Sequence, residues 1–419
     1  MTSPATPGEA ALPREPSFGS AFDAVPTHPL ALTPAQTTAT HRLPIRFTGS
    51  GSEYFRIWIV NLLLTLVTLG LYYPWAKVRR LRYFHGNTLV GEHPLDFHGD
   101  PKKMLRGYLL VGAMALVYAL AGYLSPVAGT IAFVIIAALW PALFKAALQF
   151  RLANTSWRGL RFRFKGTVGG AYAALLPLLV PAGLIALLVM LAPAEAEKAP
   201  GSFGFVFLVP LTVLAIVPWL LWRVRKYQHD HYALAQWQTE LRAGPGAVYG
   251  VFLKTIGVSI LGAVVFAGAA FLAAMVFGTA AFLFQDSGGT GAGTVIATVV
   301  TAVAAVLGLL LVQMLPRPYM MSRMQNLLWG RTGNRTLRFR SELKFRPLLL
   351  LTFKNWLLMV FTLGLYWPFA AVAMARMRLE AVSVETRTDP DTLFDQARPA
   401  EGDAAGDAAG DLLDFDIGL

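Results

Sequence analysis

The chain has no cysteine. Disulfide bridges, thiolate metal ligands and a cysteine nucleophile are therefore excluded. Charge is also scarce. Asp, Glu, Lys and Arg make up 14% of the 419 residues, where a soluble domain carries roughly 25%. Carboxylates are rarer than cations, 24 against 36, and Glu195 and Asp286 fall between apolar stretches rather than inside them. Proton-coupled carriers and pumps depend on ionisable groups within their spans, so an ion-driven transporter is disfavoured. There is no phosphate-cradling glycine loop, no nucleophile elbow and no helical zinc motif. The chain therefore does not read as an enzyme, and it offers no catalytic, cofactor-binding or metal-binding set.

What fills the space is hydrophobicity, at 55% of residues. A hydrocarbon core about 30 Å thick is crossed by about 20 apolar residues in a helix. In lipid every backbone polar group must be satisfied internally. Eight stretches qualify: 57–76, 107–124, 127–144, 171–193, 203–222, 255–284, 293–315 and 348–375. They lack strand alternation, so a transmembrane β-barrel is a poor reading. The first starts past residue 50, too late for a cleavable signal peptide. The expected class is an all-α polytopic membrane protein with about eight hydrophobic helices.

The net charge of +12 is unevenly placed. Residues 1–45 are rich in Ala, Pro and Thr and read as a disordered leader. Residues 387–419 hold nine acidic and two basic residues and read as an acidic disordered tail. Between them, residues 46–386 form the multi-spanning domain. Segments 77–106, 145–165, 223–254 and 317–346 carry seven, six, five and eight Lys or Arg, whereas 121–126, 193–202 and 285–292 carry none, one and none. By the positive-inside rule the basic set is cytoplasmic. This basic layer points to anionic lipid as the partner, not to nucleic acid. Arg79, Arg80, Arg82, Lys102 and Lys103 are the candidate lipid-facing residues. No protein partner is legible.

A repeated unit organises the domain. A proline closes a hydrophobic helix, basic and aromatic residues follow, and a short strand-like piece and a glycine lead into the next helix. One copy runs from Pro74 to Gly99 and another from Pro141 to Gly166. Both carry Asn-Thr thirteen residues after the proline, at Asn87 and Asn154. Weaker copies start at Pro218 and Pro318. The strand-like pieces, such as Leu160-Arg161-Phe162-Arg163-Phe164, alternate apolar and basic residues. They fit either a small paired sheet in the cytoplasmic loops or four isolated basic loops. The two end segments also match each other. NLLLTLVTLGLYYP from Asn61 to Pro74 pairs with NWLLMVFTLGLYWP from Asn355 to Pro368, at a constant offset of 294.

The run FTGSGSEYFRIWIVNLLLTLVTLGLYYPWAKVRRLRYFHGNT, from Phe47 to Thr88, resembles the YjgN-like inner-membrane proteins of bacteria. NTSWRGLRFRFKG and TLGLYWPFAAVAMARMR are similar to the same family. The resemblance covers roughly residues 46–385; the copy around His229 to Gly244 departs from the pattern. It implies a multi-spanning inner-membrane protein and carries no substrate or site residue with it.

Polar groups in spans usually join helices, although they also line pathways. Asn61 and Asn355 hold matched places, and Gly70, Gly364, Pro74 and Pro368 mark a matched break near the helix ends. His85, His93 and His98, and the His229-Asp230-His231 run, match no structural zinc spacing. Each end segment either crosses once, putting both tails outside, or enters and returns at Gly70 and Gly364, keeping them inside. Two functions follow: a passive pathway for a small solute or lipid, or a structural or signalling protein whose basic layer holds lipid or a partner.

Overall fold

Five prolines set the architecture. Pro74, Pro141, Pro218, Pro318 and Pro368 are all fully buried. They sit in helices α2 (Tyr73–Gly86), α4 (Pro126–Ala153), α6 (Phe203–Asp230), α8 (Pro316–Gly330) and α10 (Trp367–Glu380). The sequence suggests that each proline closes a helix. Instead the chain stays helical for twelve residues past all five, because Pro74, Pro318 and Pro368 lie in a first turn, where no N–H is needed. Pro141 lies within a continuous helix. The computed structural model describes residues 40–179, 203–285 and 314–387, together with 299, 389, 391 and 392.

The Asn-Thr pair explains where these helices stop. The Asn87 and Asn154 amides donate to the carbonyls of Tyr83 and Phe150, and the Thr88, Thr155 and Thr332 hydroxyls donate to those of Phe84, Arg151 and Leu328. At Pro218 plus thirteen, His231 takes the asparagine's place, with Nδ1 2.7 Å from the Tyr227 carbonyl. The last-turn carbonyls, orphaned by the helix end, are thus satisfied by side chains.

A short strand and a longer one follow each helix. They are β2 (Thr88–Val90) and β3 (His93–Phe97), then β4 (Thr155–Trp157) and β5 (Leu160–Phe164). Next come β6 (Tyr232–Leu234) with β7 (Trp237–Gln238) and β8 (Glu240–Leu241), then β9 (Thr332–Gly333) and β10 (Leu337–Ser341). The longer strands lead into helices α3 (Pro101–Leu124), α5 (Val168–Leu175), α7 (Pro245–Gln285) and α9 (Phe345–Phe361). In the first two units a phenylalanine lies under the following glycine. A Cβ on Gly99 or Gly166 would stand 2.5 Å from the ring of Phe97 or Phe164. Asp100 and Thr167 then cap the new helix.

The fifth unit is assembled from the two ends of the chain. Strand β11 (Val382–Thr386) follows α10, and β1 (His41–Phe47) leads into helix α1 (Gly51–Val67). The two strands pair antiparallel, from His41 opposite Thr386 to Pro44 opposite Ser383. The Phe-Gly step recurs at Phe47 and Gly49, and Ser50 forms a capping box with Glu53. The strand includes residues 41–45, which the sequence reading assigns to the leader.

All the strands belong to one antiparallel sheet in the order β7-β6-β5-β4-β3-β2-β1-β11-β10-β9-β8. Its two terminal strands are separated in the chain only by Thr239, so the sheet closes into a ring. Strands β1, β3 and β5 are each divided between two partners: Ile45–Phe47 of β1 pair with β2 while His41–Pro44 pair with β11. Closure leaves no edge to aggregate. Val90, Trp157, Leu160, Leu234 and Val384 form one buried cluster, flanked by Ile45, Trp237 and Phe339. Side chains from all five units meet only inside the ring, which is therefore filled with apolar groups. The alternate residues Arg42, Arg46, Arg161, Arg338 and Arg340 are exposed.

The all-α expectation thus gives way to helices mounted on a strand ring, and the isolated-loop alternative fails. Among the described residues three helices are long and apolar enough to cross a membrane: Pro101–Leu124, Pro126–Ala153 and Pro245–Gly268. The first two form a hairpin capped by Ser125. The other expected pairings fall on 180–202 and 286–313, outside the described residues.

The two end segments are hairpins. Helices α1 and α9 have 17 residues each, about 25 Å at 1.5 Å per residue, which is short of a core about 30 Å thick. Each turns and comes back as α2 or α10. Both ends of the described chain therefore lie with the sheet, on the side of all the basic loops. Because no native cysteine interferes, R42C/E385C in directly opposed positions should crosslink on mild oxidation. R46C/E385C, four residues out of register, should not. The readout is a mobility shift on non-reducing gels. Crosslinking of both pairs, or of neither, contradicts the closed ring.

Candidate functional site

The matched TLGLY runs form matched turns. Thr68 and Thr362 donate to the carbonyls of Leu64 and Leu358 at 2.7 Å and accept from the N–H of Tyr72 and Tyr366 at 3.0 Å. Leu69 and Leu363 have φ 49°, and Gly70 and Gly364 have φ 91° and 90°. Glycine takes that conformation without steric cost. Gly70 and Gly364 are thus turn residues, and the polar threonines satisfy the backbone at the break. Leu69 and Leu363 at the tips are each 94% exposed. Pro74 and Pro368 start the returning helices. Asn61 and Asn355 are both buried, and the Oδ1 of each has no hydrogen-bond partner.

Below each turn lies a groove between the two legs. In the first hairpin a recess of about 490 Å³ is lined by Arg56, Ile57 and Val60 of α1 and by Arg79, Arg82 and Tyr83 of α2. Among the described residues no carboxylate forms an ion pair with these arginines within 4 Å, although Glu53, which accepts from the Tyr83 hydroxyl at 3.2 Å, interacts electrostatically with Arg56. Arg79 lies 6.0 Å from the Tyr72 ring, and Arg82 Nη2 reaches the Gly99 carbonyl at 3.4 Å. The matching recess of the second hairpin, about 460 Å³, has Leu351, Ala373, Arg376 and Met377 where the first has Ile57, Arg79, Arg82 and Tyr83. It also holds Glu342 and Glu380, and Arg376 is occupied by the Gly49 carbonyl at 2.8 Å. The same backbone thus carries a cationic groove at one end of the chain and a mixed-charge groove at the other.

Of the five basic residues singled out from the sequence, the structure brings only Arg79 and Arg82 together. Arg80 turns away, over the Trp367 and Phe84 rings at 5.3 and 5.9 Å. Lys102 and Lys103 are exposed in the first turn of α3, outside the groove. Arg56 was missed as a groove residue. Its signal was position: it lies on the leg of a returning hairpin, so it shares a side with Arg79 and Arg82.

The histidines do not converge. Among the described residues no group of three metal-binding side chains occurs. His98 Nε2 lies 2.8 Å from Ser156 Oγ. Burial lowers the His85 pKa, its Nδ1 hydrogen bond to Leu81 opposes this, and Arg151 adds to the lowering. His229 is buried with Nδ1 2.9 Å from Thr332 Oγ1. That hydroxyl gives its own proton to the Leu328 carbonyl, so it accepts from His229, whose proton is on Nδ1.

The geometry defines a class: an α-helical membrane protein whose helices stand on a closed ring of short strands. Residues 42–412 match the family described as "Bacterial protein of unknown function (DUF898)", and the chain belongs to it. It is 31% identical over 179 residues to "Inner membrane protein YjgN" of Salmonella typhimurium, covering 42% of this chain and 45% of that one. The protein of the same name in Escherichia coli K12 is 25% identical over 179 residues, covering 41% and 43%. The matched stretches thus span less than half the length of these curated relatives. No solved structure matches the chain.

His229 makes the fold sensitive to acid. Burial, with Arg225 adding to it and Asp230 opposing, lowers its pKa to about 4 from 6.5. Between those values the unfolded chain binds a proton and the folded one does not. The stability is therefore complete above about pH 6.5 and falls as pH drops towards 4, by about 3 kcal/mol at most. In detergent, wild-type Tm should fall between pH 7 and 4.5 by several degrees more than that of His229→Gln. Parallel Tm curves would contradict the assignment.

Proposed function

We propose that this is an anionic-lipid-binding membrane protein of structural or signalling type. The carrying observation is the groove between α1 and α2, where Arg56, Arg79 and Arg82 meet Ile57, Val60 and Tyr83 with no carboxylate in the lining and a single one beside it, Glu53, held by Tyr83. Three guanidiniums suit a phosphate, which they bind bidentately. The apolar side chains beside them suit the glycerol backbone and the start of an acyl chain. The hairpin's exposed leucines support a groove at the level of the headgroups, and the basic loops support a cytoplasmic side for the strand ring and both described ends of the chain. Basic residues near that leaflet contribute about 1 kcal/mol each.

A watery path along the ring's axis is disfavoured, since its strand portion is filled by Trp157, Leu160, Val384 and their neighbours. The lipid role is retained and the solute pathway set aside. The second hairpin serves as an internal control, because Ala373 replaces Arg79 and carboxylates are present.

Native mass spectrometry of the full chain, extracted from mixed bilayers, tests the reading. The wild type should retain phosphatidylglycerol over phosphatidylcholine, and R56Q/R79Q/R82Q should lower that retention at least fivefold. R376Q should leave it unchanged. Equal retention by the triple variant would refute the site. Rapid leak of small solutes from reconstituted liposomes would restore the pathway reading.

A further inference from the structure

The wall of the ring holds a second recess. It has a volume of about 440 Å³ and is lined by Arg242, Arg331, Gly333, Arg338, Arg340 and Glu342. A glycine opens it. Fifteen residues after their prolines the four units carry Leu89, Ser156, Ala233 and Gly333. A Cβ on Gly333 would stand 2.7 Å from the Leu337 carbonyl oxygen. Arg338 stands directly opposite this glycine. Arg340 is met by Glu342 at 2.7 Å and by Glu385 at 3.6 Å. Arg242, Arg331 and Arg338 are exposed and, among the described residues, make no ion pair. Three guanidiniums around one hollow repel one another, and an anion seated among them removes that repulsion.

The chain carries an anion beside this recess. Thr386, where β11 ends, lies opposite Leu337, and Glu385 lies opposite Arg338. Residues 387–419, which follow, hold nine carboxylates and two basic residues. Their stretch 401–411 reads EGDAAGDAAGD, four carboxylates separated only by Ala and Gly. No bulky or basic side chain there keeps a carboxylate from an arginine. The start of this acidic stretch already turns back on the ring. Asp391 Oδ1 lies 2.7 Å from Nη2 of Arg158, in the turn between β4 and β5. Strands β1, β2 and β3 separate β4 from β11. Five residues past Thr386 the chain has therefore crossed the rim of the ring instead of leaving it. Strands about 4.8 Å apart make a ring about 20 Å across, and the next ten residues, to Glu401, extend up to about 33 Å. The acidic run thus has the reach to return to the recess.

We propose that the recess of Arg242, Arg331 and Arg338 docks this chain's own acidic run, 401–411, through carboxylate–guanidinium pairs. Such pairs are individually weak on an exposed surface, but tethering presents these carboxylates at an effective concentration of about millimolar, so that several act together. The docked run covers the arginines of the wall and withholds them from other anions. The recess shares no residue with the α1–α2 groove, so this docking is independent of lipid binding there.

The test is a nitroxide on the single cysteine of A405C, in the full chain in phosphatidylcholine nanodiscs, read by electron paramagnetic resonance. Docking predicts a slow-motion component that persists when the protein is diluted about tenfold. R242Q/R331Q/R338Q should lower that component at least fivefold. E401Q/D403N/D407N/D411N should do the same without touching the ring. R46Q/R106Q/K165Q, which removes as much charge elsewhere, should leave it in place. If the recess variant does not fold, R331Q and R338Q singly and the carboxylate variant carry the comparison. A freely mobile label in the otherwise unaltered chain overturns the proposal. So does a slow component that survives either the recess or the carboxylate variant, or that the control variant also abolishes. A component that fades on dilution overturns it as well, and assigns the recess to the acidic run of a second copy. If the label is mobile and Tm rises with pyrophosphate or with added phosphatidylglycerol only while the three arginines are present, the recess belongs to that ligand and the proposal falls.

Discussion

The pairing of the first described strand with the last holds this architecture together. Backbone hydrogen bonds between His41–Pro44 and Ser383–Thr386 convert an open row of hairpins into a ring. Side chains reinforce the join: Arg42 Nε donates to Ser383 Oγ, and Arg376 Nη2 to the Gly49 carbonyl. Without it β1 and β11 would each expose an edge beside a membrane surface. With it every backbone ladder continues into the next, and ten helical legs attach to a single support.

The ring explains why such short strands persist. Strands of two to seven residues gain little from pairing two at a time. Here each longer strand is shared by two neighbours, and the apolar face of each turns into a common filling around Trp157 and Leu160. The outward face is left basic. The helices then rise from fixed points, each return set by a buried proline, so variation within a unit changes function without changing the scaffold. The two end hairpins illustrate this. Their turns agree hydrogen bond by hydrogen bond, yet Arg56 and Arg79 of one correspond to Leu350 and Ala373 of the other. One groove becomes cationic and the other mixed.

Much of this was legible in the sequence. The Pro-to-Gly spacing, the Asn-Thr pairs and the alternation in Leu160–Phe164 marked the repeating unit, and the offset of 294 marked the matched hairpins. The mostly helical reading held, but the sheet stayed undecided because pieces of two or three residues, such as Thr332–Gly333, carry too few alternations to tell paired strands from loops. The proline was misassigned because Pro followed by bulky and basic residues looks like a stop, whereas each is buried at a first turn or within a helix that continues past it. The fifth unit was invisible because its halves, Val382–Thr386 and His41–Phe47, lie at opposite ends of the chain; only three-dimensional closure joins them. Arg56 was overlooked for the same reason, since its side of the membrane follows from the hairpin's return.

Amide hydrogen exchange of the full chain in nanodiscs tests the closed ring most directly. The account predicts that amides of His41–Phe47 and Val382–Thr386 exchange as slowly as those of Leu160–Phe164, and that deleting 382–386 makes the first group exchange quickly. Fast exchange of either terminal strand in the intact chain would contradict it.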